Sequence, residues 1–180
     1  MSVKITYFVH GTTTDNKKGL STGWNQGELS QLGMQQAKEL GETVREIKFD
    51  AMFSSDLKRA VDSLELGFKD SKFPKIKDER LRECNYGDLN GAPEDEVDYL
   101  AHIDKPFPNG ESNSDVEKRI KNFIDFIKKN YDGKHVAIMA HKSPQLALEV
   151  VLNGKTWEQA IEEDWRKTGS WQPGWEYIIE

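Results

Sequence analysis

Four side chains in this sequence have the types that catalyse transfer of an anionic group. They are His10, Arg59, Glu83 and His141. Two of them close apolar runs. Ile5-Thr6-Tyr7-Phe8-Val9 stops at His10, which is followed at once by Gly11-Thr12-Thr13. His135-Val136-Ala137-Ile138-Met139-Ala140 stops at His141. Short apolar runs that end so abruptly read as buried strands, each delivering an imidazole to its C-terminal tip. In an open parallel α/β sheet the crevice beyond those tips is where ligands bind. Gly11 lets the backbone approach a ligand closely, and the two threonines add hydroxyl and N–H donors. A histidine that merely ends a strand is the plain alternative for either position.

The rest of the chain has to hold these groups. After the first strand, Asp15 to Glu28 is rich in polar residues and glycine and reads as a functional loop. Ala37, Leu40, Val44 and Ile47 step at helical spacing behind a Ser30 cap. Phe49 to Ser54 predicts a strand, and Leu57, Ala60, Leu64 and Phe68 predict a helix that follows Ser54-Ser55-Asp56. Lys75-Ile76-Lys77 is a weak strand, Arg80 to Gly91 a loop, and Pro93 to His102 a short helix. Val116, Ile120, Phe123, Ile127 and Tyr131 mark the clearest helix, with a capping box assigned to Ser114 and Glu117. Pro144 suits the first turn of the helix after His141. Thr156 and Gln159 box a last helix through Trp165, and Trp175 to Ile179 closes as a strand. This alternation predicts an α/β fold with one mostly parallel sheet flanked by helices, a three-layer α/β/α sandwich over residues 1–180 as one domain.

Composition narrows the partners. The chain has 180 residues, 36% hydrophobic and 31% charged, which suits a globular body with a heavily charged surface. The net charge of −6 argues against nucleic acid or an anionic membrane as a partner, although a local anion site remains compatible with it. No run approaches the roughly 18 apolar residues that span a bilayer, and the N-terminus lacks a signal pattern. A cytoplasmic protein with no disulfide is expected, since Cys84 is the single cysteine. Its oligomeric state is not encoded in any pattern we can name.

Several short blocks then add up. Val9-His10-Gly11, followed by Thr12-Thr13 and Asn16, is similar to the Arg-His-Gly signature of the histidine phosphatase (phosphoglycerate mutase-like) superfamily. Leu29-Ser30-Gln31-Leu32-Gly33 resembles that family's Leu-Thr-x-x-Gly helix entry, and Ser54 to Ala60 its Ser-x-Leu-x-Arg-Ala block. Leu81 to Gly91 resembles its glutamate loop, Gly110-Glu111-Ser112 with Arg119 its Gly-Glu-Ser helix start, and Ala140-His141 its Ser-His turn. The resemblance covers nearly the whole chain and implies a phosphoglycerate mutase-like fold. It further implies a phosphomonoester hydrolase with a phosphohistidine on His10 and Glu83 as general acid and base. Arg59 and His141 would neutralise the phosphoryl oxygens, with Gly11, Thr13, Asn16, Thr22, Gly23 and Lys142 in the substrate cradle. The substrate would be a small phosphorylated molecule, with no metal and no cofactor.

The departures from the family pattern sit in the pocket. The arginine before the nucleophile is Val9, the glutamate after His-Gly is Thr12, and the glycines after the second histidine are Lys142-Ser143. Lys142 and Arg82 are the candidates to replace the missing charge. Two other readings stay open: a phosphate-holding relative with little turnover, and a mutase that passes the phosphoryl group to a second hydroxyl. A thiol phosphatase on Cys84 is set aside because Asn90 stands where its arginine would be. A nucleotide loop at Gly154-Lys155-Thr156 is set aside because the earlier glycine is Glu149. The loops Thr14 to Trp24 and Asn85 to Asp104, and the Trp171 region, are the expected carriers of specificity.

Overall fold

In the computed structural model, residues 1–168 and 174–180 are described; the Trp171 expectation lies outside them. Five strands make one sheet: β1 (Val3–Val9), β2 (Ala51–Ser54), β3 (Lys75–Lys77), β4 (His135–Ala140) and β5 (Trp175–Ile179), in the order β3-β2-β4-β1-β5. The pairs β1–β4, β2–β4 and β2–β3 are parallel, and β5 alone runs antiparallel, against β1. The expected mostly parallel sheet is therefore observed, with one antiparallel edge.

Side-chain alternation divides the core into two layers. From β1 and β4, Ile5, Tyr7, Val136, Ile138 and Ala140 face one side. They pack on α4 (Asn113–Asn130), α5 (Lys142–Asn153) and α6 (Trp157–Glu162). Phe8, Met52, Ala137 and Met139 face the other side. There they meet Leu40 and Val44 of α2 (Gln31–Thr43) or its end and Ala60, Leu64 and Phe68 along α3 (Lys58–Gly67). A strand buried on both faces reads as a continuous apolar run, which is why β4 was so visible in the sequence.

Local chemistry sets the boundaries. Ser30 caps α2 as expected, its Oγ accepting from the Gly33 N–H. The cap of α4 is Ser112 with Asp115, not Ser114 with Glu117. Asp115 lies three residues beyond Ser112 and reaches back to its N–H at 3.0 Å. Ser114 instead donates to Asp104, and Glu117 accepts from the Trp157 indole. The Pro93–His102 stretch is two 3₁₀ turns, Glu94–Glu96 and Leu100–His102, rather than one helix, because Val97 between them is extended. The loop after β1 contains a short helix, α1 (Thr14–Lys17), which Thr13 and Asn16 close with a reciprocal capping box. The last helix ends at Glu162, and a 3₁₀ turn over Trp165–Thr168 follows.

Candidate active site

Register brings the two histidines together. Val9 lies opposite Ala140 in the parallel β1–β4 pair, and the His10 N–H donates to the Ala140 carbonyl at 3.1 Å. The next residues of both strands thus leave the sheet side by side, with their rings 5.1 Å apart. His10 borders a cavity of about 490 Å³ that is also lined by Asn16, Thr22, Gly23, Arg59, Glu83 and Lys142, among others, whereas His141 lies behind His10 and is not among the lining residues.

The imidazole of His10 is fixed in one tautomer. Its Nδ1 lies 2.7 Å from the Gly11 carbonyl, which can only accept, so Nδ1 carries the proton. Nε2 keeps its lone pair and receives the Arg59 Nε–H at 3.3 Å. Burial first, and then the Arg59 charge, push the imidazole down to about 3. At neutral pH His10 is an uncharged ring whose Nε2 electron pair, held by the Arg59 Nε–H, is turned to the cavity.

Close backbone packing holds this loop. A Cβ on Gly11 would meet the Gly33 carbonyl oxygen at 2.2 Å, and one on Gly33 would meet that of Thr12 at 2.0 Å. Both positions need glycine because the His10 loop lies directly on the first turn of α2. The Gly11 N–H is bound to Ser63 Oγ, and Thr13 Oγ1 accepts from Asn16 N as the cap of α1. Gly11 and Thr13 thus shape the loop from behind. Neither lines the cavity in which the sequence placed them.

Arg59 is 1% exposed. Its Nη1 donates to the carbonyls of Asn25 and Gln26 and its Nη2 to that of Gly23, at 2.7–3.3 Å. A guanidinium has five donors; three go to the loop, one to His10, and one Nη2 hydrogen has no acceptor among the described residues. Arg59 therefore ties the 23–26 loop to His10. Glu83 Oε1 accepts from the backbone N–H of Cys84 and Ser143, both at 2.9 Å. Oε2 is then the oxygen placed to move a proton.

His141 is fully buried. Neither ring nitrogen has a hydrogen-bond partner among the described residues. Burial and the neighbouring Arg59 charge hold the ring well below the usual histidine range. The Tyr7 hydroxyl donates to the His141 carbonyl at 2.6 Å and accepts from its N–H at 3.0 Å. His141 precedes the first residue of α5, so the positive end of a 12-residue helix faces the same cavity.

Sequence reasoning missed several positioning groups. Arg119 uses all five donors: two on Glu111, and one each on the carbonyls of Arg80, Arg82 and Glu83. Its spacing from Ser112 was visible, but nothing there revealed that it clamps the glutamate loop. The Trp24 indole also donates to the Glu83 carbonyl, at 2.7 Å. Tyr7 read only as a strand residue. Arg82, offered as a substitute charge, is bound by both Asp56 oxygens and stacks on Trp24; it is not among the lining residues. Lys142 lines the cavity, paired with Asp164 at 3.3 Å and over the Tyr99 ring. Cys84 is a packed side chain, its thiol pushed up by burial. No cluster of potential metal ligands occurs among the described residues. Nor is any helix among them long and apolar enough to cross a membrane.

Residues 7–171 match the family model of the histidine phosphatase superfamily (branch 1). The chain is 33% identical over 178 residues to a 2,3-bisphosphoglycerate-dependent phosphoglycerate mutase of Rhizobium meliloti (strain 1021), covering 89% of this chain and 84% of that protein. Among solved structures, Bacillus stearothermophilus YhfR superposes with a TM-score of 0.82 at 25% identity, covering 99% of this chain and 91% of the other. The alpha-ribazole phosphatase of Shigella flexneri gives 0.78 at 25% identity, with 88% and 84% covered. The chain belongs to the histidine phosphatase superfamily.

Proposed function

We propose that this chain is a phosphomonoester hydrolase working through a phosphohistidine on His10. The observation that carries the reading is the state of His10. Its Nδ1 is tied to the Gly11 carbonyl, and its lone-pair Nε2 stands at a cavity shared with Arg59 and Glu83. The cavity, at about 490 Å³, has the size of a small-molecule site.

In the first half-reaction, the His10 Nε2 electron pair forms a bond to phosphorus as the ester P–O bond breaks. Glu83 Oε2 gives its proton to the leaving oxygen, and the alcohol departs. The Gly11 carbonyl steadies the positive charge that develops on the ring. Arg59 turns its Nε–H from His10 to the phosphoryl oxygens, joined by the spare Nη2 hydrogen. His141 donates from the other side, and the N-terminus of α5 adds its dipole. In the second half-reaction, Glu83 takes a proton from water, the water oxygen bonds to phosphorus, and the P–N bond breaks. Inorganic phosphate leaves, and the site is restored. No metal or organic cofactor takes part. Asn16, Thr22, Gly23 and Lys142 line the part of the cavity where the remainder of the substrate would sit.

The name carried by the curated relatives favours a second reading, in which the phosphoryl group passes from His10 to another hydroxyl. Both readings share the first half-reaction and differ in the acceptor. The test is phosphate release from p-nitrophenyl phosphate in the presence of a chelator, by wild type and His10→Ala. We expect turnover that needs His10, survives chelation and leaves an acid-labile phosphoenzyme. Phosphoenzyme discharged only by an added alcohol would select the mutase. A wild type that forms no phosphoenzyme and releases no phosphate would remove the enzyme reading and leave a phosphate-binding protein.

A further inference from the structure

Val9 leaves the phosphoryl pocket one cation short of its family pattern, and it lines the cavity with an apolar side chain. A cation lost from such a site is worth about 10- to 150-fold in rate or affinity. We infer that Arg166, held by the buried carboxylate of Asp164, enters the pocket from the C-terminal 3₁₀ turn and binds the phosphoryl group in place of the arginine that Val9 replaces. This inference rests on the phosphatase reading of the His10 site.

The cluster is built for the purpose. The carboxylate of Asp164 is 2% exposed, and each of its oxygens holds one cation. Oδ1 receives Arg166 Nη1 at 2.8 Å, and Oδ2 lies 3.3 Å from Lys142 Nζ. Burial opposes a charge on Asp164, but Arg166 and Lys142 together hold its carboxyl below the usual range. The backbone N–H of Arg166 also donates to Oδ1, and Gln145 Oε1 lies 3.5 Å from Nη1. The guanidinium stacks over Trp175 of β5, 5.6 Å from the ring centre. One edge of the fork and its face are therefore fixed, which is the preorganisation that a planar phosphate contact needs. The buried Asp164 carboxylate thus holds both cations at the cavity that His10 and Val9 also line.

Arg166 and Lys142 do not play equal parts. The Arg166 charge reaches the imidazole of His10 and helps lower it, whereas the Lys142 charge is felt at Tyr99. Lys142 sits over the Tyr99 ring, 4.0 Å from its centre, toward the loop side of the cavity. Arg166 is thus the member of the pair on the nucleophile side. Arg166 comes from a part of the chain about 155 residues after Val9, so no local pattern would have flagged it.

The test is a reciprocal exchange: wild type, Arg166→Met, Val9→Arg and the double variant, each measured for p-nitrophenyl phosphate turnover and for inorganic phosphate affinity as a competitive inhibitor or by titration. We expect Arg166→Met to weaken phosphate affinity and kcat/KM by roughly 10- to 150-fold. Val9→Arg should restore most of that loss in the double variant, which a merely structural role for Arg166 would not allow. Should Arg166→Met fail to fold, Arg166→Lys keeps the charge and removes the fork; it is expected to lose at least about tenfold in phosphate affinity. Phosphate affinity within twofold of wild type in a folded Arg166 variant, or no recovery on adding Val9→Arg, overturns the inference. If wild type shows no His10-dependent turnover, the phosphatase reading fails. The phosphate titration still decides the role of Arg166 by the same criteria.

Discussion

Tyr7→Phe is the substitution that probes most directly how the sheet holds the chemistry. The Tyr7 ring is fully buried and meets Trp175 edge-on at 6.2 Å, and phenylalanine preserves both features. Only the hydroxyl is lost, and that hydroxyl serves both backbone groups of His141. The His141 carbonyl keeps a second, longer bond from the Gln145 N–H at 3.4 Å, so its loss is the ordinary net value of one hydrogen bond, ~0.5–1.5 kcal/mol. The His141 N–H has no replacement in a dry interior and costs roughly 1–3 kcal/mol as an orphaned donor. Together the variant should lose about 1.5–4.5 kcal/mol. For a chain of this size that corresponds to a fall in Tm of roughly 3–18 °C. Activity should suffer as well. No hydrogen bond fixes the His141 ring among the described residues, so its position rests on the backbone that Tyr7 ties down. A thermal melt and a urea titration, read beside kcat on an aryl phosphate, test both parts. We expect kcat to drop at least about tenfold, in line with the cost of misplacing a catalytic group by a fraction of an ångström. A Tm within 2 °C of wild type would refute the energetic argument. A destabilised variant with unchanged kcat would refute the claim that Tyr7 positions His141.

Other outcomes follow from the same geometry. Gly33→Ala puts a methyl group 2.0 Å from the Thr12 carbonyl oxygen and should cost about 1–3 kcal/mol while displacing His10, measured as a lower urea midpoint with lower kcat. Glu83→Gln should slow hydrolysis of alkyl phosphates by roughly 10²–10⁴-fold but that of p-nitrophenyl phosphate far less, because a good leaving group needs little protonation; equal losses on both would remove Glu83 as the acid. His10 titrates near 3 when folded and at ~6.5 when unfolded, so between those values the unfolded chain binds more protons. His141 and His135 are shifted the same way, so stability is fully present above about pH 6.5 and declines as pH falls toward 5 and below; a urea midpoint that does not change between pH 7 and 5 would contradict the burial of neutral imidazoles. Arg119→Lys brings three donors to the five acceptors of Arg119 and should lower both Tm and kcat, with the larger effect on kcat if the clamp acts through Glu83.

What could be read from the sequence, and what could not, divides by range. β4 and α4 carried strong periodic signals because each buries one uninterrupted apolar pattern, and their bounds needed little correction. The capping box of α4 slipped by two residues because Ser112-x-x-Asp115 and Ser114-x-x-Glu117 offer similar chemistry. The choice between them was made at a distance, by Asp104 and Trp157, which occupy Ser114 and Glu117. Pro93 to His102 looked helical in composition, yet contacts with the site loops split it; Glu94 and Tyr99 line the cavity. His10, His141, Arg59 and Glu83 were legible as types at strand ends and loops. The direction of each hydrogen bond was not. Gly11 and Thr13 seemed to be phosphate donors because they follow His10, but their donors and acceptors are spent on Ser63 and on the cap of α1.

The placement of charge in this pocket follows from strand order. β1 and β4 are neighbours, so the residues after Val9 and Ala140 must meet, and α5 must begin there with its positive end toward the cavity. β5 pairs with β1 on its other side, so the chain leading into β5 has to return to the same end of the sheet. That return carries Asp164 and Arg166 to the wall of the cavity beside Val9. A phosphate pocket in this fold can therefore take a cation from two places: from the end of β1 itself, or from the segment that precedes β5. In this chain the first place holds valine and the second holds an arginine anchored on a buried aspartate. A cation at the end of β1 would stand on the rigid strand next to His10. A cation on the C-terminal turn depends on Asp164, Gln145 and Trp175 to stay in place, so the ionisation of one buried carboxylate becomes a condition for the charge of the whole pocket.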